Sequence, residues 1–412
     1  MTTQQIDSES IRLPQAWQGK AWLLLAVGLA LIFASAFVFM VSGLDVRRYF
    51  WHSYLANFMY CMTFGIAAMF FVLISFLTRA GWNASIRRWA EIISMTIPWM
   101  GLLFIPILGL VITGQGVSLY EWNTTPQTLR ESHQSVVAEK VIYLNGTFFA
   151  IRAVICLVAW SAIVSYYYSL SRREDETGDV KLAIKRQLYS GPLVMFFALS
   201  VSMASFDWIM SLDGDWYSTA FGIYIFSGGM FGFFGLMISS LMTLQSQGKL
   251  GKYVNVEHFH DLSKFQFGFT MFWAYIAFSQ MMLIWYANIP EETAWFKNRL
   301  VNGWEYLSYA SIPLHFVIPF LGMMSHHVRR HRWGAFFFAC WALVAHWLDL
   351  TFMVMPNAGP VSWPLALGHV LCGLGMFSIF CAMILQRASD VPLVALKDPR
   401  LPEGLSYANP IL

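Results

Sequence analysis

The chain has 412 residues, of which 57% are hydrophobic, 17% aromatic and only 12% charged, with a formal net charge of +3 at pH 7. At a mean hydropathy of +0.54 there is too little polar surface to cover a water-soluble domain of this length, which points to a polytopic membrane protein. The basic residues sit in short loops rather than in one stripe, so they report topology and give no sign of nucleic-acid binding.

A polar cytoplasmic segment, 1–19, leads into the first apolar run with no small-residue cleavage pattern after it, so that run is expected to stay as an anchor. Runs long enough to cross a bilayer fall at 20–42, 53–77, 90–112, 141–170, 188–210, 219–243, 262–287, 305–325, 333–354 and 364–385. The predicted fold is therefore all-α, with ten transmembrane helices. Spans two to five (53–210) and six to nine (211–354) read as two four-helix bundles. The first span with its outer loop (20–52) and the tenth (355–385) flank them, and 386–412 forms a cytoplasmic tail. Assigning Lys and Arg to alternate sides puts 19 of the 26 on the side of the termini and six on the other, with Arg152 left inside span four. Both termini are thus expected to be cytoplasmic.

The longest outer loop, Thr113 to Lys140, carries Glu121, Trp122, Glu131 and His133 and could dock a partner. The proline-containing tail reads as lying along another subunit or as disorder. All five cysteines fall in apolar runs without metal or cluster spacing and read as small core residues. Gly228 and Gly229, in span six, read as close helix packing.

Ionisable residues inside apolar runs carry the chemical argument, because each costs at least about 2.5 kcal/mol at mid-membrane. His346 and Asp349 lie three residues apart in span nine, on one face and about 4.5 Å apart in depth. Asp207 in span five corresponds to Asp349 if the bundles are parallel repeats, and Arg152 corresponds to His315 in span eight. These five could form a proton relay, since His titrates near neutral pH and a desolvated carboxylate can be raised towards it. The alternative is structural: a buried His–carboxylate pair holding helices together, with Arg152 holding an acid from a neighbouring helix. A second group, Glu91, His258, His260, Asp261 and Lys264, lies towards the cytoplasmic side and is a candidate proton entrance or an ordinary charged interface. A b-type haem on His315 and His346 is weighed against by the lack of a second convincing histidine pair, since His369 stands alone. No glycine-rich phosphate loop is present.

Two stretches are more specific. One is Ser205-Phe-Asp-Trp-Ile-Met-Ser-Leu-Asp-Gly-Asp-Trp-Tyr-Ser-Thr-Ala-Phe-Gly-Ile-Tyr224. The other is His260-Asp-Leu-Ser-Lys-Phe265, continuing through Phe272-Trp-Ala-Tyr-Ile-Ala-Phe-Ser-Gln280 to Trp285-Tyr-Ala-Asn-Ile-Pro-Glu-Glu292. They resemble the F subunit of bacterial alternative complex III, a quinol:cytochrome c (or other acceptor) oxidoreductase whose large membrane subunits are of the NrfD/polysulfide-reductase type. The resemblance is dense from about Ser202 to Arg299 and elsewhere is mainly topological. It implies a subunit of the bacterial inner membrane with no redox centre of its own. Quinol, haem c and iron–sulfur clusters would be used by partner subunits, among them a homologous NrfD-like membrane subunit, an iron–sulfur protein and c-type cytochromes. Its role would be a proton path through Arg152, Asp207, His315, His346 and Asp349. A second quinone site in the same complex, or a stand-alone proton-coupled transporter, are the alternatives.

Overall fold

The computed structural model describes residues 10–131 and 135–409. Among these residues the chain is mostly helical, with no strand, and ten helices are long and apolar enough to cross a membrane. They are α1 (Ala16–Val41), α2 (Val46–Leu77), α3 (Ala84–Ile112), α4 (Gly146–Thr177), α5 (Val180–Leu212), α6 (Phe221–Ser246), α7 (Val256–Ala287), α8 (Glu305–Met324), α9 (Arg332–Asn357) and α10 (Trp363–Ser389). Several run beyond the apolar stretch that marks them. At about 1.5 Å per residue, the 32 residues of α4 exceed a hydrocarbon core of about 30 Å. Caps, not hydropathy, set these ends: Gly178 in the left-handed region closes α4, and the Asp179 side chain accepts the Lys181 N–H to open α5.

Helices α2 and α6 are buried over most of their length and form the centre. α2 packs on α3, α5, α6, α9 and α10, while α6 packs on α2, α5, α7 and α9. α4 lies against α3 and α5, α8 against α7 and α9, and α1 runs along α10. Glycine lets α6 approach α9: a Cβ on Gly235 would lie 2.6 Å from the Ala339 carbonyl oxygen. The pair therefore packs backbone to backbone, as small residues allow in membrane helices.

Two spans are interrupted. α3 breaks at Met95 and Thr96, ahead of Pro98. α8 contains a π-turn at Pro313–Val317. Pro319 has no N–H for the Leu314 carbonyl, and the Trp341 indole of α9 donates to that oxygen at 2.7 Å instead.

The two ends of the described chain lie on one face, hereafter the terminal face: the Ser10 carbonyl accepts from Leu250 N–H, and the Ile11 carbonyl from Leu393 N–H. The described part of the tail packs on the chain's own helices. Val391, Leu393 and Val394 are buried, Asp398 pairs with Arg87, Lys397 donates to the Glu176 carbonyl, and the Tyr407 phenol donates to Asp261. Its scattered apolar residues show no helical period, yet they suffice to hold a strap that contains one short helical turn at Leu401–Leu405. On the far face, Tyr120 and Trp122 of the long loop fold back onto Phe149, and Tyr120 donates to the Trp208 carbonyl. Glu121 and Glu131 are exposed; His133 lies outside the described residues. Arg299 pins this face, donating to the carbonyls of Trp295 and Met353 with its guanidinium 3.5 Å over the Trp295 ring. Burial lowers its pKa to about 10, which leaves it cationic at neutral pH.

Candidate functional site

The structure brings together three of the five residues placed on the relay. Asp349, on α9, receives two donors: the Tyr224 phenol from α6 at Oδ1 and the Trp273 indole from α7 at Oδ2, the latter at 3.3 Å. His315, carried on the π-turn of α8, packs against the Trp273 ring, with ring centroids 3.8 Å apart. The Phe231 ring of α6 also packs on His315, with centroids 4.6 Å apart. Isolated π-turns recur at functional sites because the added residue re-aims a side chain.

His346 lies one turn from Asp349 towards the terminal face. Its Nε2 is 2.9 Å from the Thr63 hydroxyl of α2. That hydroxyl has one proton, and the Tyr60 carbonyl accepts it at 2.9 Å. With its proton on the Tyr60 carbonyl, Thr63 accepts from His346, an arrangement that favours the Nε2–H tautomer of the neutral imidazole and leaves Nδ1 without a proton.

Nothing among the described residues bonds that Nδ1. Its surroundings are set by glycine. A Cβ on Gly228 would fall 3.2 Å from both His346 Nδ1 and Asp349 Oδ2, and one on Gly232 would fall 2.9 Å from His346 Cδ2. The two groups therefore share one notch without forming a direct ion pair. Both ring nitrogens of His315 are also unpartnered, at 2% exposure. Three buried histidine nitrogens without partners, around a carboxylate held by two donors, make an arrangement that can take up or release a proton. Buried polar groups are normally satisfied, so such a concentration calls for an explanation.

Arg152 and Asp207 form a different kind of pair. The guanidinium grips the carboxylate at two points, 2.6 and 3.0 Å, donates to the Tyr143 carbonyl at 3.1 Å, and is covered by the Tyr143 and Phe148 rings. Every strong partner is supplied by α4, α5 and the preceding loop. Arg152 contacts Asp207 and none of His315, His346 or Asp349, so the five residues do not form one chain of contacts.

The second group also divides. Glu91 belongs to a buried network in which Arg88 and Arg186 reach it at 3.3 and 3.5 Å while also pairing with Asp175 and Glu174 respectively. His258 caps α7 through Asn255 and bonds Ser85 at 2.9 Å, which satisfies both ring nitrogens. Asp261 is held by Lys264 and Tyr407. His260 is buried, has no hydrogen bond and meets the edge of His326 at 5.1 Å.

Sequence reasoning missed Tyr224, Trp273 and Thr63, which lie on three other helices. It also missed the Arg88, Arg186 and Glu174 network, although two arginines following Trp82 and the acidic end of α4 were visible signals. His369 meets no other histidine among the described residues and is held by other groups: its ring stacks on Trp347, its Nε2 meets Thr351 at 2.9 Å, and Asn57 accepts from the Trp347 indole at 2.7 Å. No known family model matches the chain, and no curated protein matches it.

Proposed function

We propose that this chain is an integral membrane subunit of a respiratory quinol:acceptor oxidoreductase, of the alternative complex III type that its sequence resembles. In this reading it contributes a proton-exchange site to the complex, and partner subunits carry quinol oxidation, iron–sulfur clusters and haem c. The observation that carries the reading is the notch at Gly228, where the free Nδ1 of His346 and the Oδ2 of Asp349 face the same space. A proton on His346 would sit beside the Asp349 carboxylate, while a protonated Asp349 would leave the imidazole neutral. The two protonation states differ by a short transfer with no change of helix packing. His315 would serve as a second acceptor beyond Trp273, and a coupled movement in the partner subunits would supply the energy.

The contacts of α2 with α3 and α5, and of α6 with α7 and α9, support grouping the spans as two four-helix bundles, α2–α5 and α6–α9, with α1 and α10 outside. The Lys and Arg excess on the terminal face supports placing that face in the cytoplasm of a bacterial inner membrane. Against a stand-alone transporter, the interrupted spans α3 and α8 do not occupy matched positions in the two groups.

The test is Asp349→Asn in the purified complex reconstituted in vesicles, with quinol oxidation and proton release measured separately. Proton release per electron should fall while quinol oxidation persists when the gradient is collapsed. An unchanged proton yield would remove Asp349 from the path. Copurification is the broader test: haem-bearing and iron–sulfur partners should accompany a tagged chain, and a solitary active protein would overturn the assignment.

A further inference from the structure

A cleft on the terminal face plays no part in the proton site. It encloses about 290 Å³ between the end of α2, the start of α5 and the tail. Arg79, Arg87 and Arg400 line one part of it, and Val180, Ala183 and Ile184 line another.

The three guanidinium groups are not equally committed. Arg87 is buried, pairs with Asp398 and lies 4.3 Å over the Phe76 ring, so it is fixed in the floor. Among the described residues Arg79 meets only a neutral acceptor: with the Gln187 amide turned to accept, its oxygen lies 2.7 and 3.0 Å from Arg79 Nε and Nη2. Arg400 uses its backbone N–H on Asp398, and its side chain has no partner among the described residues. Asp398 is thus engaged twice, and the other carboxylate of the lining, Glu403, stands at the rim beside Gly81. Among the described residues three cations face two anions, and two of the cations lack a carboxylate partner.

Arg79 is also held in an unusual backbone conformation, with φ of 55°. This is the left-handed position that closes a helix, where glycine or asparagine is the ordinary occupant because a Cβ is disfavoured there. A long cation at that position points to a role for the side chain. Planar guanidinium forks match phosphate oxygens. The cleft lies at the end of membrane-spanning helices, the level of lipid phosphates, and basic pockets between such helices hold anionic headgroups. Below it, Val180, Ile184 and Leu188 recur every fourth residue on α5 and are exposed, an apolar track for an acyl chain.

We propose that this cleft binds the phosphate of an anionic phospholipid, gripped by Arg79 and Arg400, with an acyl chain along Ile184 and Leu188. The site is independent of the proton-exchange reading. The chain is purified with its copurifying partners, delipidated in detergent, and titrated with phosphatidylglycerol, phosphatidylcholine or inorganic phosphate. Thermal unfolding and native mass spectrometry report binding. Phosphatidylglycerol raises the unfolding temperature and is retained; phosphatidylcholine and inorganic phosphate do neither at equal concentration. The double variant Arg79→Gln/Arg400→Gln binds phosphatidylglycerol about thirty-fold more weakly, the effect of removing two interfacial charges. Arg172→Gln/Arg173→Gln, on the same face, binds as the parent does. Arg400→Gln alone tests the site without disturbing the end of α2 and shows a smaller loss. Undiminished phosphatidylglycerol binding in both the single and the double variant overturns the proposal. Equal binding of phosphatidylcholine does so too, and a matching response to inorganic phosphate assigns the cleft to a soluble anion instead.

Discussion

At the residue scale the difference between the two intramembrane acids is one of satisfaction. Asp207 is fully engaged by a bidentate arginine, whereas Asp349 is held by two neutral donors and faces an unpartnered imidazole nitrogen. Removing one partner of a buried ion pair leaves a charge without compensation, at a cost of about 3–5 kcal/mol. Arg152→Ala should therefore lower the thermal stability of the protein sharply. Asp207→Asn with Arg152→Gln should recover much of it, measured by detergent-solubilised unfolding curves. Tyr224→Phe removes a donor to Asp349 and should leave assembly intact while slowing proton-coupled turnover; equal turnover in Tyr224→Phe and the parent would show the phenol to be a packing element. The tautomer of His346 is open to direct measurement. Nitrogen NMR of labelled protein should place the neutral proton on Nε2, and Thr63→Val should remove that preference.

At the element scale the spans were legible because hydropathy over about twenty residues marks a bilayer crossing. Their ends were not, because α4 stops where Gly178 turns the chain, not where the apolar run stops. His346 and Asp349 were legible as costly residues on one face of α9. Their partners were not: Tyr224 and Trp273 are 125 and 76 residues away from Asp349. In a chain with 35 Phe, 18 Trp and 17 Tyr, no single aromatic stands out. Glycine on α6 was read as packing, and the site shows what the packing admits. Gly235→Ala drives a Cβ against the Ala339 backbone and should destabilise the protein. Gly268→Ala on α7 meets open space and should stabilise it by up to about 1 kcal/mol through helix propensity. Unfolding temperatures of the two variants, taken side by side, check the contrast.

At the scale of the whole molecule, the tail joins parts that the membrane helices leave separate, reaching Arg87 at the start of α3 and Asp261 at the start of α7. Its docking was hidden in the sequence because scattered apolar residues without a period carry no signal until their sockets are known. Asp398→Ala strands Arg87 in the floor of the terminal face and should free the tail to protease, read by limited digestion of the intact protein. Burial and the Asp261 carboxylate raise the Tyr407 phenol well above its ordinary value near 10. The docked tail therefore favours the protonated phenol. Docking should be insensitive to this group between pH 7 and about 9, and should weaken as pH rises past about 10, where a released phenol ionises first. Tyr407→Phe should abolish that alkaline sensitivity in the same digestion assay.

The π-turn of α8 also imposes a count. One extra residue in a turn rotates everything after it by about 100° relative to an uninterrupted α-helix. Glu305–Ile312 and Ile318–Met324 thus belong to two helical phases joined at Pro313–Val317. A single-residue deletion inside that segment would let α8 wind regularly, but it would turn one end of the helix away from its neighbours. Position in this span is therefore encoded as much by the number of residues as by their kind, and conservative substitutions at positions other than His315 should be tolerated there where a deletion of any one residue is not.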